Sequence, residues 1–371
     1  MLALSLAGFT TLCVLRGAPM ADLLVYRAEG AAVAHGTDLY GFTVTRWHLP
    51  ATYPPFAAIL FVPASWLPLP LLKAIFLAGN ALLLAWLIAL SARLAGRTIA
   101  LPALCTATAL ALWLEPVFQT LLFGQINLAV TCLVLWDLTR PPTARGRGVA
   151  LGIAAGVKLT PAVFVPYLLL TGRMREAATA TAAFAGTVLL GALPLPSASV
   201  EFWTRRLFET GHVGKGWIVD NQSLRGLLAR VLHDPAPGPA WAVPAVAVGV
   251  AGLWLAARSG ADRYGVPLTA GTALLVCPIS WSHHWVWCVP LLAVLLAERR
   301  TLLAALTAAV FTARTLWLVP HQGDRDLRLP WWQQPLASPY PLLGLALLAG
   351  AALATAQPVP SARMSSASTI R

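Results

Sequence analysis

Residues 71–92 read LLKAIFLAGNALLLAWLIALSA, and this stretch decides what kind of chain is folding. Wound as a helix, it rises about 33 Å at 1.5 Å per residue, enough to cross a hydrocarbon layer of about 30 Å. A helix satisfies its own backbone hydrogen bonds inside a bilayer, which an open strand cannot do. Apolar runs of similar character recur at 99–118, 121–138, 177–194, 241–257, 266–280, 285–296, 302–318 and 341–356. Of the 371 residues, 58% are hydrophobic and 11% charged, whereas a soluble domain carries about a quarter charged residues. The chain therefore reads as an all-α, polytopic membrane protein with about 10–12 crossings or half-crossings. It fills 1–360 as a single membrane domain, with a short, Ser-rich disordered tail at 361–371. Residues 2–15 are apolar but short. No basic residues precede them and no clear small-residue cleavage site follows, so they read as a first span whose start is clipped or mis-assigned.

The net charge of +12 raises the possibility of a nucleic-acid partner. Its placement argues against one. The basic residues fall in short clusters between apolar runs: Arg93/Arg97, Arg140/Arg145/Arg147, Arg173/Arg175, Arg258/Arg263 and Arg299/Arg300. That is the pattern of cytoplasmic loops. If those clusters lie inside, the loops at 16–55, 196–239 and 319–338 and the turn at 282–284 share the outer side. Two runs must then fail to cross. Residues 56–70 are short and proline-rich, and 149–170 are interrupted by Lys158-Leu-Thr-Pro161; both read as half-helices or re-entrant segments. Cys13, Cys105, Cys132, Cys277 and Cys288 show no metal spacing and read as small apolar residues.

The outer regions hold the polar residues that could carry chemistry. Asp22 sits at the mouth of the first span. It is either an interfacial carboxylate at a helix end or a general base, since partial desolvation raises a carboxylate's basicity. Glu29 and Asp38 lie further along the loop and read as solvated. Thr52-Tyr-Pro-Pro-Phe56 either opens a helix, with Tyr53 as an interfacial anchor, or forms a rigid wall over a site. Ser280-Trp-Ser-His-His-Trp-Val-Trp287 is the densest polar-aromatic cluster. It reads either as an interfacial belt or as donors to a phosphate, His283 and His284, with Trp281 or Trp285 stacking on a sugar. Asn221 and Gln222 suit either a helix cap or carbohydrate hydroxyls. Arg205, Arg206, Lys215 and Arg225 are basic on the outer side, as a lipid phosphate would require. Lys158 reads as a snorkelling lysine or as a phosphate contact. Asp324-Arg-Asp326 has the letters of a D-x-D motif, but no nucleotide-binding pattern surrounds it, and it reads as solvated charge. There is no Walker A or G-x-S-x-G element.

Taken in order, ADLLVY, TYPPFAAILFVP, LLFGQINLAV, GIAAGVKLTPAVFVPYLLL, WIVDNQSLRG and CPISWSHHWVWCVP resemble the actinobacterial polyprenol-phosphate-mannose-dependent α-(1→2)-mannosyltransferases. The likeness runs from about residue 22 to residue 290. It implies a helical bundle of GT-C type in the cytoplasmic membrane, with its site on the extracytoplasmic side. It further implies inverting transfer of mannose from a β-linked polyprenyl-phosphate donor to a lipid-anchored mannoside, the other partners being membrane lipids. Asp22 matches the essential aspartate of that family's first outer loop. His283 and His284 match its histidine motif, as donor-phosphate or base-assisting groups, with Lys158 and Arg206 as further phosphate candidates. Tyr53, Asn221, Gln222, Trp281 and Trp285 are the expected substrate contacts. No metal or other cofactor is expected, because a monophosphate leaving group carries less charge than a nucleoside diphosphate and Arg, Lys or His can stabilise it. Transfer of another lipid-linked sugar (arabinofuranose or glucose), a lipid-linked sugar transporter and a non-catalytic scaffold remain alternatives.

Overall fold

The computed structural model describes residues 1–15 and 17–356; the expected tail at 361–371 lies outside the described residues. The chain is an all-α membrane protein. Its strand content among the described residues is a two-residue antiparallel pair, Thr43–Val44 with Leu49–Pro50, that folds the tip of the first polar loop back on itself. Among the described residues, three helices are long and apolar enough to cross a membrane: Leu69–Leu94, Gly238–Arg258 and Pro339–Ala356. Many of their large apolar side chains point away from the protein, among them Leu82, Val243, Val246, Val250 and Leu353. Such outward faces suit contact with lipid rather than water.

Several other apolar runs are broken, and the breaks matter more than the spans. The 99–118 run divides into Leu101–Ala111 and Glu115–Phe123, bent by 77°. Pro116 lies in the first turn of the second piece, where its missing N–H costs nothing. The 121–138 run is not one helix either: Gly124 ends the first piece and Asn127–Leu138 begins the next. Residues 56–70 fold as two short pieces, Pro55–Leu60 and Val62–Trp66, before the Leu69–Leu94 helix starts. Residues 149–170 divide into Val149–Val157, Thr160–Val163 and Phe164–Leu170, with Lys158 extended at the break. Lys158 thus leaves the helix where its own backbone N–H still bonds Ala154 O. A helix interrupted in this way is tolerated because surrounding protein covers the break.

The first polar loop opens with a helix, Ala21–His35. Ala21–His35 packs on the 55–66 segment through Gly30, where a Cβ would sit 2.2 Å from the Phe61 carbonyl oxygen, so only glycine admits the approach. The second polar region, 196–239, holds the helices Pro196–Glu201 and Leu224–Leu232. The helix Leu224–Leu232 is capped by Ser223, whose hydroxyl accepts from the Gly226 N–H.

Candidate active site

The site is built from chain breaks. Gly124 adopts φ +72°, and a Cβ on it would meet the Leu23 Cβ at 2.8 Å. This glycine lets the loop after Glu115–Phe123 press against the first turn of Ala21–His35, which sets Gln125 beside Asp22. Gln125 is buried, and its Oε1 lies 2.9 Å from Tyr26 Oη and 3.2 Å from Tyr53 Oη, while the two phenol oxygens are 2.9 Å apart. The two O–H protons are shared over this triangle, so Gln125 Oε1 always has a phenol donor available. With its oxygen engaged by the phenols, Gln125 turns its NH2 to the Asp22 carboxylate. Burial pushes the Asp22 carboxyl up to about 6; Gln125 and the Lys158 charge pull it down and the Asp220 charge pushes it up. Its side chain remains partly exposed.

Lys158 stands opposite. Its ammonium donates to Asn127 Oδ1 at 2.8 Å and meets His284 Nε2 at 3.1 Å. An ammonium has only donors, so His284 accepts at Nε2 and carries its proton on Nδ1. The Tyr53 ring lies 5.8 Å below the ammonium. Behind Lys158, a cavity of about 40 Å³ is lined by Asn127, Phe164, Cys277, Ser280 and His284. It has room for a water or two but not for a sugar ring. The lysine is therefore not a snorkelling residue; its charge is held inside the protein, facing Asp22.

The histidine turn, Ser282–Trp287, is pinned from both sides. The His283 carbonyl accepts from Thr120 Oγ1 at 3.1 Å and from Asn127 Nδ2 at 3.0 Å. The Ser282 N–H donates to the Asp220 carbonyl at 2.9 Å and to its Oδ1 at 3.1 Å. The His283 ring is 3% exposed, packs edge-on against Phe123 and His284, and has no hydrogen-bond partner at either nitrogen. Asp220 is partly exposed like Asp22, and burial raises its carboxyl above the ordinary range.

Several expected contacts do not face the site. Asn221 and Gln222 are fully buried. Asn221 Nδ2 donates to Gly216 O and Pro278 O, and its Oδ1 accepts from Ser280 N. Gln222 Nε2 donates to Ala337 O at 2.8 Å and its Oε1 accepts from Tyr340 N at 3.2 Å. These amides are spent on backbone, and they hold the wall rather than offer hydrogen bonds to a ligand. Trp285 is buried against Phe311 and Tyr340, so its face is unavailable to a sugar. Trp281 is half-buried, with its backbone bridged to Asn221 and its indole against Gly214. Arg206 pairs with Glu201 at 2.7 Å and lies over the Tyr40 ring; Tyr40 Oη in turn donates to Tyr53 O at 2.9 Å. Its link to the cluster runs through those two tyrosines. Tyr53 is buried and is a supporting wall, not an interfacial anchor.

Two carboxylates read as solvated are also buried. Glu29 is 0% exposed, its Oε1 accepting from the Thr52 and Tyr53 N–H groups at 2.9 and 3.3 Å. Burial pushes it up to about 8, so it is protonated at neutral pH. Asp326 is 0% exposed and accepts from Val219 N at 2.8 Å. Asp38 and Asp324 are exposed as expected, with Asp324 paired to Lys215. The residues missed from sequence are Tyr26, Gln125, Asn127 and Asp220. Gln125 and Asn127 carried a usable signal: two amides interrupting an apolar run.

Residues 51–280 match the profile of Glycosyltransferase family 87. The chain belongs to that family. It is similar to a polyprenol-phosphate-mannose-dependent α-(1-2)-phosphatidylinositol mannoside mannosyltransferase of Mycobacterium tuberculosis, 33% identical over 364 residues, which cover 90% of this chain and 84% of that protein. A protein with the same description from Mycolicibacterium smegmatis is 34% identical, with 86% of this chain and 80% of the relative covered. A polyprenol-phosphate-mannose-dependent α-(1-2)-phosphatidylinositol pentamannoside mannosyltransferase of M. tuberculosis is 36% identical over 74% of this chain and 66% of its own length. No solved structure matches. This member of family 87 is therefore a membrane-embedded glycosyltransferase; Tyr53, Gln125, Asn127, Lys158 and Asp220 lie within the matched segment, whereas Asp22 precedes it and His283 and His284 follow it.

Proposed function

We propose that this glycosyltransferase moves mannose from polyprenyl-phosphate-mannose to a lipid-linked mannoside of the phosphatidylinositol mannoside type. Transfer occurs at the outer face of the cytoplasmic membrane, by a single inverting displacement with Asp22 as general base. The observation that carries this reading is the placing of a partly exposed carboxylate, oriented by Gln125, within electrostatic reach of an ammonium held by Asn127 and His284, without an ion pair between the two. The acceptor hydroxyl oxygen attacks C1 of the mannosyl group while its proton passes to Asp22. The C1–O bond to phosphate breaks on the opposite face, and its electron pair leaves with the polyprenyl phosphate. Lys158 stabilises that departing charge in a low-dielectric setting, where a fixed positive charge counts for more than in water. His284, accepting from Lys158, fixes the ammonium's direction. His283, buried against Phe123 and His284, backs the turn that presents His284, and half-buried Trp281 is the remaining aromatic face for a sugar. Asn221, Gln222, Trp285 and Arg206 act by supporting this wall.

A carboxyl poised near 6 is ionised at neutral pH yet more basic than an ordinary aspartate, which suits a base that must take a proton during transfer. The relatives' shared description supports mannose as the sugar. The test is a membrane assay with radiolabelled polyprenyl-phosphate-mannose and a panel of phosphatidylinositol mannosides of increasing length. Label should move into one acceptor and not accumulate as free mannose. If label moves only from another lipid-linked sugar, the donor assignment is wrong while the geometry of the base and ammonium still stands.

A further inference from the structure

A groove of about 580 Å³ lies apart from the Asp22–Lys158 cluster, walled by the helices Gly238–Arg258, Asp262–Val276, Cys288–Ala297, Thr301–Ala313 and Pro339–Ala356. Its volume is in the usual range for a small-ligand site, but its walls are aliphatic along most of their length. Trp285, Trp287 and Phe311 close one end, directly behind the histidine turn. Arg258, Arg263, Glu298 and Arg300 line the other. Cys288–Ala297 runs from one end to the other, 10 residues or about 15 Å. The groove is thus an apolar slot about as deep as one leaflet of the hydrocarbon layer, with a charged mouth at a single end.

The mouth is positive. Arg263 is neutralised by Glu298 at 3.3 Å. Arg258 and Arg300 are exposed, and neither forms an ion pair among the described residues; Arg258 lies over the Trp254 ring at 5.1 Å. An aliphatic slot ending at uncompensated arginines matches one kind of molecule, an acyl chain carrying an anionic head. We propose that the groove binds an anionic membrane phospholipid, with an acyl chain along the slot and its headgroup phosphate on Arg258 and Arg300. The headgroup end is a helix length from Lys158, so a sugar donor with its phosphate at Lys158 would not present it to these arginines. Both arginines belong to the clusters that the positive-inside pattern assigns to the cytoplasmic leaflet, where anionic lipids attract basic residues. Residues 357–371, which follow the last helix of the groove, carry two arginines and no acid. Their charge does not complement the mouth. A lipid in the slot packs behind Trp285 and Trp287 and so braces the turn that presents His283 and His284.

The test uses the full chain in detergent, titrated with phosphatidylglycerol or phosphatidylcholine and read by native mass spectrometry. The wild type should retain phosphatidylglycerol in preference. Arg258→Ala with Arg300→Ala should cut that preference on the order of 25-fold, taking each basic residue at about fivefold. Arg258→Lys with Arg300→Lys should keep most of it, which separates charge from a folding defect. Gly271 and Gly350 both line the slot and have open space where a Cβ would sit. Gly271→Leu with Gly350→Leu should therefore lower retention of both lipids while the mouth is intact. Equal retention of the two lipids by wild type, or unchanged phosphatidylglycerol binding in the leucine variant, overturns the proposal. So does recovery of polyprenyl phosphate rather than phospholipid from the slot.

Discussion

The Asp22 cluster and the Asn221 wall sit side by side and use similar residue types to opposite ends. Around Asn221, every amide group named above ends on protein. Arg230, fully buried on the helix Leu224–Leu232 that follows, bonds Ser338 Oγ and the carbonyls of Trp217, Ile218 and Asn221. Around Asp22, partners stop short: Gln125 and the tyrosines orient the carboxylate from one side, and Asn127 and His284 hold Lys158 from the other. The comparison teaches that polarity inside a membrane protein does not itself mark a reactive group. What marks it is polarity that the protein orients without consuming.

The largest effect should come from Asp22→Asn. It keeps shape and hydrogen bonding but removes the base, and transfer should fall by roughly 10²–10⁴-fold with little change in melting temperature. The matched variant Asp220→Asn should lose less. If the two losses are equal, the base is shared or misassigned. Next, Lys158→Met removes the charge with little change in length, and kcat should fall by roughly 10²–10³-fold, as when a transition-state charge stabiliser is lost. An effect on KM alone would move Lys158 from leaving-group stabilisation to simple donor binding.

Asn221→Ala probes the other region. It strands buried backbone groups at about 1–3 kcal/mol each, so the expected result is a lower melting temperature with kcat per folded molecule nearly kept. A stable Asn221→Ala protein with a raised acceptor KM would erase the distinction between the two regions. The acid side of the pH–rate profile should follow Asp22. Activity should be lost as pH falls through about 6, because protonation removes the base, and that limb should vanish from the residual activity of Asp22→Asn.

The smallest effect concerns Glu29. Its folded pKa, about 8, lies above its ordinary 4.5, so the folded protein holds a proton that the unfolded chain releases. Its contribution to stability is therefore greatest below about 4.5 and is lost as pH rises through about 8, at a slope on the order of 1 kcal/mol per pH unit. Glu29→Gln mimics the protonated acid. Melting curves at pH 6 and pH 9 should converge for the variant and diverge for wild type; parallel behaviour would mean Glu29 is ionised in the fold.

Much of this was legible beforehand. The apolar runs and the sparse charges gave the helical membrane class, since only helices satisfy that backbone in lipid. The halting of 56–70 and 149–170 was visible from Pro63, Pro68, Pro70 and Lys158, because proline and an unpaired charge each interrupt a span. Asp22, Lys158 and the histidine turn were singled out by ionisable residues standing in apolar surroundings. Gln125 escaped notice because an amide in a short apolar run reads as a tolerated interruption until its two phenol partners, 72 and 99 residues away in sequence, are seen. The same limit misjudged Glu29 and Asp326, whose burial depends on backbone N–H groups brought in from other segments.

Sequence by itself determined the solvent of this protein, its helices, its family likeness and the polar residues worth watching. These follow from composition and order, which act locally along the chain. Only the tertiary structure decided which polar groups are consumed and which are left facing one another. Hydrogen bonds and charges are settled by neighbours in space, and here those neighbours come from widely separated segments of the chain.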